Sequence, residues 1–185
     1  FLWEFMNIPY SEIRISNLIQ KAGISRASFY LYFEDKEDLL GCIAESWVDV
    51  ILRKLTEAFR VSDGSYYEGM KLWMSQALEN DISREVWKVY KRVMEEEDFT
   101  RKSKMGALQF KASPKWRQVI EECYGHMDQS RYPGLTPEKL AYAVDMGLLA
   151  MVQLSMRYVE HYAPLAELKE AAWHQLTILD KGIRE

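Results

Sequence analysis

The sequence has few residues that could build a metal site or a redox centre. Its 185 residues include two cysteines, Cys42 and Cys123, and three histidines, His126, His161 and His174. The cysteines lie far apart and no two histidines are four residues apart, so neither type shows the spacing of a zinc or redox motif. We therefore expect two buried, reduced thiols and no metal ion.

The signatures of common enzyme classes are also absent from the sequence. It contains no glycine-rich phosphate loop and no nucleophile motif. Catalysis by another route would need a cluster of polar side chains with shifted pKa values. We therefore predict a protein that is not an enzyme and holds no cofactor.

Long apolar runs and targeting segments are missing as well. No run approaches the roughly 20 apolar residues that a membrane-spanning helix needs. Residues 1–10 are too short for a signal peptide and carry no basic residue. The chain begins at Phe1, so we expect the natural protein to start upstream. These features predict a cytoplasmic protein without membrane contact.

Apolar and aromatic residues are plentiful, at 48% and 13% of the chain, and can fill a large core. Apolar residues recur at spacings of three and four, and no clear run alternates with a period of two. The five prolines, at positions 9, 114, 133, 137 and 164, separate these stretches. The sequence therefore predicts an all-α fold of eight or nine helices.

Start and stop signals place most of the helix ends. Gly23 is a good helix-terminating residue, and Ser25 and Asp35 can each cap the helix that follows. Thr136-Pro137-Glu138 has the order of a capping residue, a first-turn proline and a first-turn acid. We predict helices near 1–6, 14–22, 26–32, 36–59, 66–79, 82–97, 114–131, 137–161 and 164–185. Residues 99–112 are ambiguous between a short helix and a loop.

The short helices around Gly23 have the order of a helix-turn-helix, in which the second helix enters the DNA major groove. The segment is specific in detail: it contains Ala22-Gly23-Ile24-Ser25-Arg26, Phe29-Tyr30-Leu31-Tyr32-Phe33 and Lys36-Glu37-Asp38-Leu39-Leu40. In order and spacing, residues 1–45 closely resemble the N-terminal signature of the TetR family of transcriptional regulators. Their expected core is Ile15, Leu18, Ile19, Ile24, Phe29, Phe33, Leu39 and Leu40.

The resemblance implies two domains: a three-helix DNA-binding domain at residues 1–45, and a larger helical bundle for ligand binding and dimerisation at residues 46–185. On the third helix, short polar side chains remain outward and suit the approach to base edges. In the family, a tyrosine and a lysine at the positions of Tyr30 and Lys36 commonly contact the DNA backbone. The predicted DNA-binding residues are Arg14, Ser25, Arg26, Ala27, Ser28, Tyr30, Tyr32 and Lys36.

Two features depart from the family pattern. Arg14 stands where the family often has threonine, and it can reach a phosphate but cannot cap a helix. Residues 1–46 also hold four basic against seven acidic side chains, a net charge of −3. Since phosphate attraction supplies most non-specific affinity, this balance keeps a second hypothesis open: a helical protein-interaction module with a degenerate helix-turn-helix.

For the larger domain, the family implies a small-molecule ligand and a two-fold dimer formed by the last two helices. Small and apolar residues repeat at helical spacing there, and we predict a dimer interface of Ala143, Gly147, Ala150, Leu154, Leu168, Ala172, Leu176 and Leu179. Aromatic residues and methionines suggest a pocket for an apolar or aromatic ligand. Its predicted lining is Met70, Trp73, Met74, Trp87, Tyr90, Met94, Trp116 and Met151; each of these also fits an ordinary core.

The resulting functional prediction is a sequence-specific DNA-binding regulator, acting as a repressor on a palindromic operator. Two reading heads related by a two-fold axis match two inverted half-sites. Binding of the small ligand would then release the dimer from DNA, provided that the ligand distinguishes the two states.

Overall fold

The computed structural model describes residues 1–79, 113–160 and 163–185, together with Lys88 and Arg92. All regular structure in these residues is helical, as predicted. The α-helices are α1 Leu2–Asn7, α2 Ile15–Ala22, α3 Arg26–Tyr32, α4 Lys36–Arg60, α5 Tyr66–Glu79, α6 Pro114–Gly125, α7 Pro137–Val159 and α8 Leu165–Arg184. A 3-10 turn at Tyr10–Glu12 joins α1 to α2. The helix predicted over 82–97 and the ambiguous segment 99–112 lie outside the described residues.

The chain forms two compact units, and the boundary between them falls within α4, between Asp49 and Val50. The described part of the first unit is mainly residues 1–49. The second contains the described residues from Val50 to Glu79 and from Ser113 onward. The sequence-based division into residues 1–45 and 46–185 stays a prediction.

The core of the first unit forms around the 3-10 turn. Phe5, Tyr10, Ile13, Leu18 and Leu40 are buried together, and Leu39 and Trp47 pack against them. The sequence analysis included Leu18 and Leu40 in this core but missed the three residues from α1 and the turn. It was wrong about Ile24, which is exposed. The Ile24 N–H closes the end of α2 by bonding to the Ile19 carbonyl, and its side chain lies on the surface.

In the second unit, α8 packs against α5 and α7, while α6 and α5 also contact α7. A hydrogen-bonded chain crosses this bundle: the Tyr66 hydroxyl donates to the Ala143 carbonyl at 2.7 Å, and the Tyr66 N–H donates to the Tyr132 hydroxyl at 3.0 Å. Gly147 allows the close approach of α5 and α7, because a Cβ there would collide with the Met70 side chain. Buried polar groups therefore fix the register of helices held together mainly by apolar contacts.

α6 is shorter than predicted. It ends at Gly125 instead of near Arg131, and the next two N–H groups close the helix with bonds to Cys123 and Tyr124. The Asp128 N–H then donates to the Gly64 carbonyl at 3.0 Å. This bond to the turn after α4 draws the chain away from the helical path.

Candidate nucleic-acid interface

The α2–turn–α3 segment has the geometry of a helix-turn-helix. Gly23 adopts the left-handed conformation with φ of 66°, which a glycine reaches without steric cost. The Gly23 and Ile24 N–H groups bond to the carbonyls of Gln20 and Ile19, so α2 ends within two residues. Ser25 then caps α3 by accepting a hydrogen bond from the Ser28 N–H at 3.0 Å. Tight closure of one helix and immediate capping of the next set the angle between them.

Phe29 anchors α3, since its side chain is only 3% exposed. The other faces of the helix are open to solvent: Arg26, Ala27 and Ser28 are exposed, as predicted for a helix that approaches base edges. The Arg26 guanidinium lies over the Tyr30 ring, 5.5 Å from its centroid. This stacking orders a long side chain while leaving its planar N–H edge available to an acceptor.

The two serines differ in what they can offer a partner. The Ser25 hydroxyl is the α3 cap and also lies 2.8 Å from the Ser28 hydroxyl. Both groups are exposed, so an outside acceptor can compete for the hydrogen that they share. They lie at the N-terminal end of α3, where the helix dipole favours negative charge.

The two tyrosines follow at the other end of α3. Tyr30 is 44% exposed and its ring meets Phe29 edge to face at a centroid distance of 5.3 Å. Tyr32 is 74% exposed and contacts Phe33. Tyr30 is thus half-buried against Phe29, whereas most of Tyr32 is in solvent.

Lys36 occupies a more internal position than the sequence suggested. Its ammonium donates to the carbonyls of Tyr10 at 2.7 Å and Ile13 at 3.2 Å, and lies 4.1 Å from the centroid of the Tyr10 ring. The side chain therefore ties the start of α4 to the 3-10 turn. Its predicted contact with a phosphate stays a prediction, and these bonds give Lys36 a structural role that needs no DNA.

The remaining basic residues of positions 1–49 are Arg14 and Lys21. Arg14 is exposed and precedes α2 without capping it through its side chain, as its chemistry dictates. Lys21 forms a 2.7 Å ion pair with the buried Glu4 and lies over the Trp3 ring. Two of the four cations in residues 1–49 are thus engaged in holding the unit together, and Arg14 and Arg26 remain on its open surface.

Leu31 was missed by the sequence analysis. Its side chain is 75% exposed on α3, although leucine is usually a core residue. The exposure of Leu31 could have been predicted from helix geometry. Residues two positions before and after the buried Phe29 lie about 160° from it around the helix axis, and so face solvent. Ala27 and Leu31 hold those two positions.

The predicted ligand-pocket residues are divided between buried and undescribed positions. Met70, Trp73, Met74, Trp116 and Met151 are buried in the second unit, and the Trp73 indole N–H donates to the Ile51 carbonyl at 3.3 Å. Trp87, Tyr90 and Met94 lie outside the described residues. A separate polar groove of about 540 Å³, lined by Ser65, Tyr67, Glu68, Thr177, Asp180, Lys181 and Arg184, includes none of the predicted set.

The predicted dimer-interface residues lie mostly inside the single chain. Six of them are buried there: Ala143, Gly147, Leu154, Leu168, Ala172 and Leu176. Ala150 and Leu179 are partly exposed. Side chains already covered within one subunit offer little surface to a second copy, and the predicted dimer interface stays a prediction.

Metal clusters and membrane-spanning helices are both absent from the part of the chain that the structure describes. No group of three His, Cys, Asp or Glu side chains there is placed to hold a metal ion. None of the helices described is both long enough and apolar enough to cross a membrane.

The fold and the exposed face of α3 define the first unit as a helix-turn-helix of the type found in DNA-binding regulators. Residues 4–42 match the family of bacterial regulatory proteins known as the tetR family. This N-terminal segment of the chain belongs to that family.

A protein of Bacillus subtilis (strain 168), described as the uncharacterized HTH-type transcriptional regulator YdgC, is 33% identical over 61 residues. The match covers 33% of this chain and 31% of that relative's length. No solved structure matches the chain.

Proposed function

We propose that this chain is a transcriptional regulator that represses by binding a palindromic operator and is released by a small apolar or aromatic ligand. The observation that carries the proposal is the exposed face of α3 in a TetR-type helix-turn-helix. Arg26, Ala27 and Ser28 stand outward there, while Phe29 holds the helix to the core.

Arg26 is the main reader in this proposal. A guanidinium can pair in bidentate fashion with the O6 and N7 acceptors of guanine, which contributes about 1–3 kcal/mol of discrimination. Its stacking on Tyr30 supports this role, because the ordered side chain loses less entropy on binding. Contact with a phosphate is the alternative use of the same group.

Backbone contacts come from residues at the edges of α3. Tyr30 and Tyr32 present their hydroxyls to phosphates, and Arg14 adds an exposed guanidinium. Ser25 and Ser28 offer hydroxyls at the α3 N-terminus. Phosphate contacts of this kind fix the register of the protein on DNA, and base contacts then select the sequence.

A two-fold dimer would place two such units on inverted half-sites. An exposed apolar face of α7, next to the predicted interface residues, supports this dimer. It consists of residues at spacings of four and three: Tyr142, Met146 and Leu149. Ile178 on α8 is 70% exposed. We propose that this apolar face, rather than the buried stripe next to it, pairs the two subunits.

The effector site is proposed among the buried aromatic and methionine side chains of the second unit. Met70, Met74 and Met151 are flexible and polarisable, so they can repack around a flat ligand. Release from DNA requires that the ligand binds the free state more tightly than the DNA-bound state. A screen of hydrophobic compounds for both a melting shift and release of DNA tests this part of the proposal.

The decisive experiment is selection from a random duplex library with the full chain at two salt concentrations. We expect a palindrome to be enriched, and Arg26→Ala to abolish that enrichment. Arg117→Ala is the matched control, because it removes an exposed arginine from α6 in the second unit. Equal loss in both variants would show that only total charge matters.

The alternative, a protein-interaction module, is favoured by one specific observation. Residues 1–46 carry a net charge of −3, and Lys21 and Lys36 are both engaged within the unit. Absence of enrichment even at low salt would support this alternative and overturn the regulator proposal.

A further inference from the structure

We infer that Leu31, together with Ala27, reads the C5 methyl group of a pyrimidine in the major groove, with thymine as the natural source. The inference rests on the proposed DNA-binding function and adds a specificity-determining residue to it. The placement of Leu31 on α3 carries the argument.

Leu31 and Ala27 occupy the centre of the exposed face of α3. With about 100° between successive residues, both lie about 160° from the buried Phe29. Arg26 and Tyr30 flank this centre on one side, and Ser28 and Tyr32 flank it on the other. The face thus has an apolar middle between two polar edges.

The chemistry of the groove identifies the occupant. Base edges in the major groove are donors and acceptors, except for the C5 methyl of thymine, which is apolar. An exposed leucine at the centre of a groove-facing helix gains by covering such a methyl, and the Ala27 methyl lies one turn away on the same face. The polar edges then lie on either side of this methyl contact, with the Arg26 guanidinium toward a neighbouring base edge and the hydroxyls toward the phosphate backbones that border the groove.

A protein partner fits this face less well. The apolar centre of the face is one leucine and one alanine, and even with the exposed parts of the Tyr30 and Tyr32 rings it stays below the area that a stable protein interface buries. Leu31 is 75% exposed. A thymine methyl group, by contrast, is small enough to be covered by a single leucine side chain.

The test uses the duplex that the full chain enriches from the random library. Each thymine in it is replaced in turn by deoxyuridine, which removes only the methyl group. We expect one position per half-site to lose affinity by about three- to tenfold, in line with the burial of one methyl. In Leu31→Ala the thymine and deoxyuridine duplexes should bind equally well, because the reader of the methyl is gone.

Two controls sharpen the result. Val61→Ala shortens an exposed apolar side chain in the turn after α4, and it should keep the full sensitivity to deoxyuridine. Cytosine and 5-methylcytosine are then compared at the sensitive position. Restored affinity with 5-methylcytosine shows that the methyl itself is read; no gain from it overturns the assignment.

The inference and the proposed function fail in different ways. If no duplex is enriched at all, DNA binding itself fails. If a duplex is enriched but no thymine is sensitive to deoxyuridine, or if Leu31→Ala keeps that sensitivity, the role of Leu31 is overturned while DNA binding stands. Leu31 is exposed, so its replacement should leave the melting temperature unchanged, and this is checked alongside.

Discussion

The Tyr132 hydroxyl donates a 2.6 Å hydrogen bond to the Asp180 carboxylate on α8, and the same hydroxyl accepts the Tyr66 N–H that begins α5. Arg184 pairs with the second carboxylate oxygen at 2.8 Å and lies over the Tyr132 ring. One side chain in the loop between α6 and α7 thus connects the start of α5 to the end of α8.

Removing that hydroxyl should destabilise the second unit. Tyr132→Phe leaves the buried Tyr66 N–H without an acceptor and Asp180 without its hydroxyl donor, at a cost of about 1–3 kcal/mol in the free energy of unfolding. Urea denaturation measures the change. Tyr142→Phe removes a hydroxyl from an exposed ring and should have no effect; equal stability of the two variants would contradict the role of Tyr132.

Gly147→Ala should destabilise the second unit by up to about 1 kcal/mol net, because the new methyl group must displace the Cε end of the buried Met70 side chain, a cost that the higher helix propensity of alanine partly offsets. Gly182→Ala in α8 is the control, since an added Cβ there meets nothing within 4 Å. That variant should gain about 0.5–1 kcal/mol from higher helix propensity. Thermal melts should show a lower melting temperature for Gly147→Ala and a higher one for Gly182→Ala. Equal melting temperatures would contradict the close approach of α5 and α7 at Gly147.

Ser25→Asp separates the capping of α3 from its contact with DNA. Aspartate caps a helix about as well as serine, so stability should change by no more than about 0.5 kcal/mol. The new negative charge faces the phosphates, and operator affinity should fall by at least about tenfold. Ser25→Ala provides the contrast, with the loss of the cap lowering stability by about 1 kcal/mol. Retained affinity in Ser25→Asp would place this end of α3 away from DNA.

Lys36→Met tests which role its ammonium has. If the bonds to Tyr10 and Ile13 are its function, the first unit loses about 1–3 kcal/mol, and the dependence of log affinity on log salt keeps its slope. If Lys36 binds a phosphate, that slope falls by about one. We expect a loss of stability with an unchanged salt slope. Unfolding curves measure the stability, and DNA titrations at four salt concentrations measure the slope.

Alkaline pH should weaken the second unit. Burial raises the pKa of the Cys123 thiol to about 12, while the thiol of the unfolded chain ionises near its ordinary value of 9.0. Between these values the unfolded chain releases a proton that the folded chain retains, so the free energy of unfolding falls as pH rises above about 9. Cys123→Ala should make this fall less steep in urea titrations from pH 8 to 11. Cys42→Ala should change the slope less, because the Cys42 thiol is exposed. The expectation of two buried cysteines was therefore wrong for Cys42.

The proposed subunit interface gives a prediction on assembly. Met146→Asp places a charge in the middle of the exposed apolar face of α7, so the chain should become monomeric in sedimentation equilibrium. Val61→Asp, on another exposed apolar residue, should leave the assembly unchanged. A wild-type chain that is already monomeric at high concentration would contradict the proposed dimer.

The helix ends marked by a capping residue or a glycine were predictable, because those signals are local, whereas the end of α6 was not. Ser25, Asp35 and Thr136 each accept from a backbone N–H three residues ahead, and Gly23 closes α2 with a positive φ. These side chains act within one turn of their own backbone. Their roles therefore follow from sequence without knowledge of the tertiary fold.

The buried face of α7 could not be predicted in the same way. Leu140, Val144 and Met151 are buried, whereas Tyr142 and Leu149 on the opposite side are exposed, although both stripes are apolar. Periodicity selects a face only when the other face is polar. The position of Lys36 likewise depends on where the 3-10 turn brings two carbonyls, which is a tertiary fact.

The internal use of Lys21 and Lys36 has a consequence for how this unit could be modified. These are the lysines of residues 1–49, and the open face of α3 carries its positive charge on arginine. Acetylation neutralises lysine and leaves arginine untouched. Within residues 1–49, an acetylating enzyme would therefore act by loosening the fold, at the Glu4 ion pair or at the 3-10 turn, and not by removing charge from the α3 surface proposed to bind DNA.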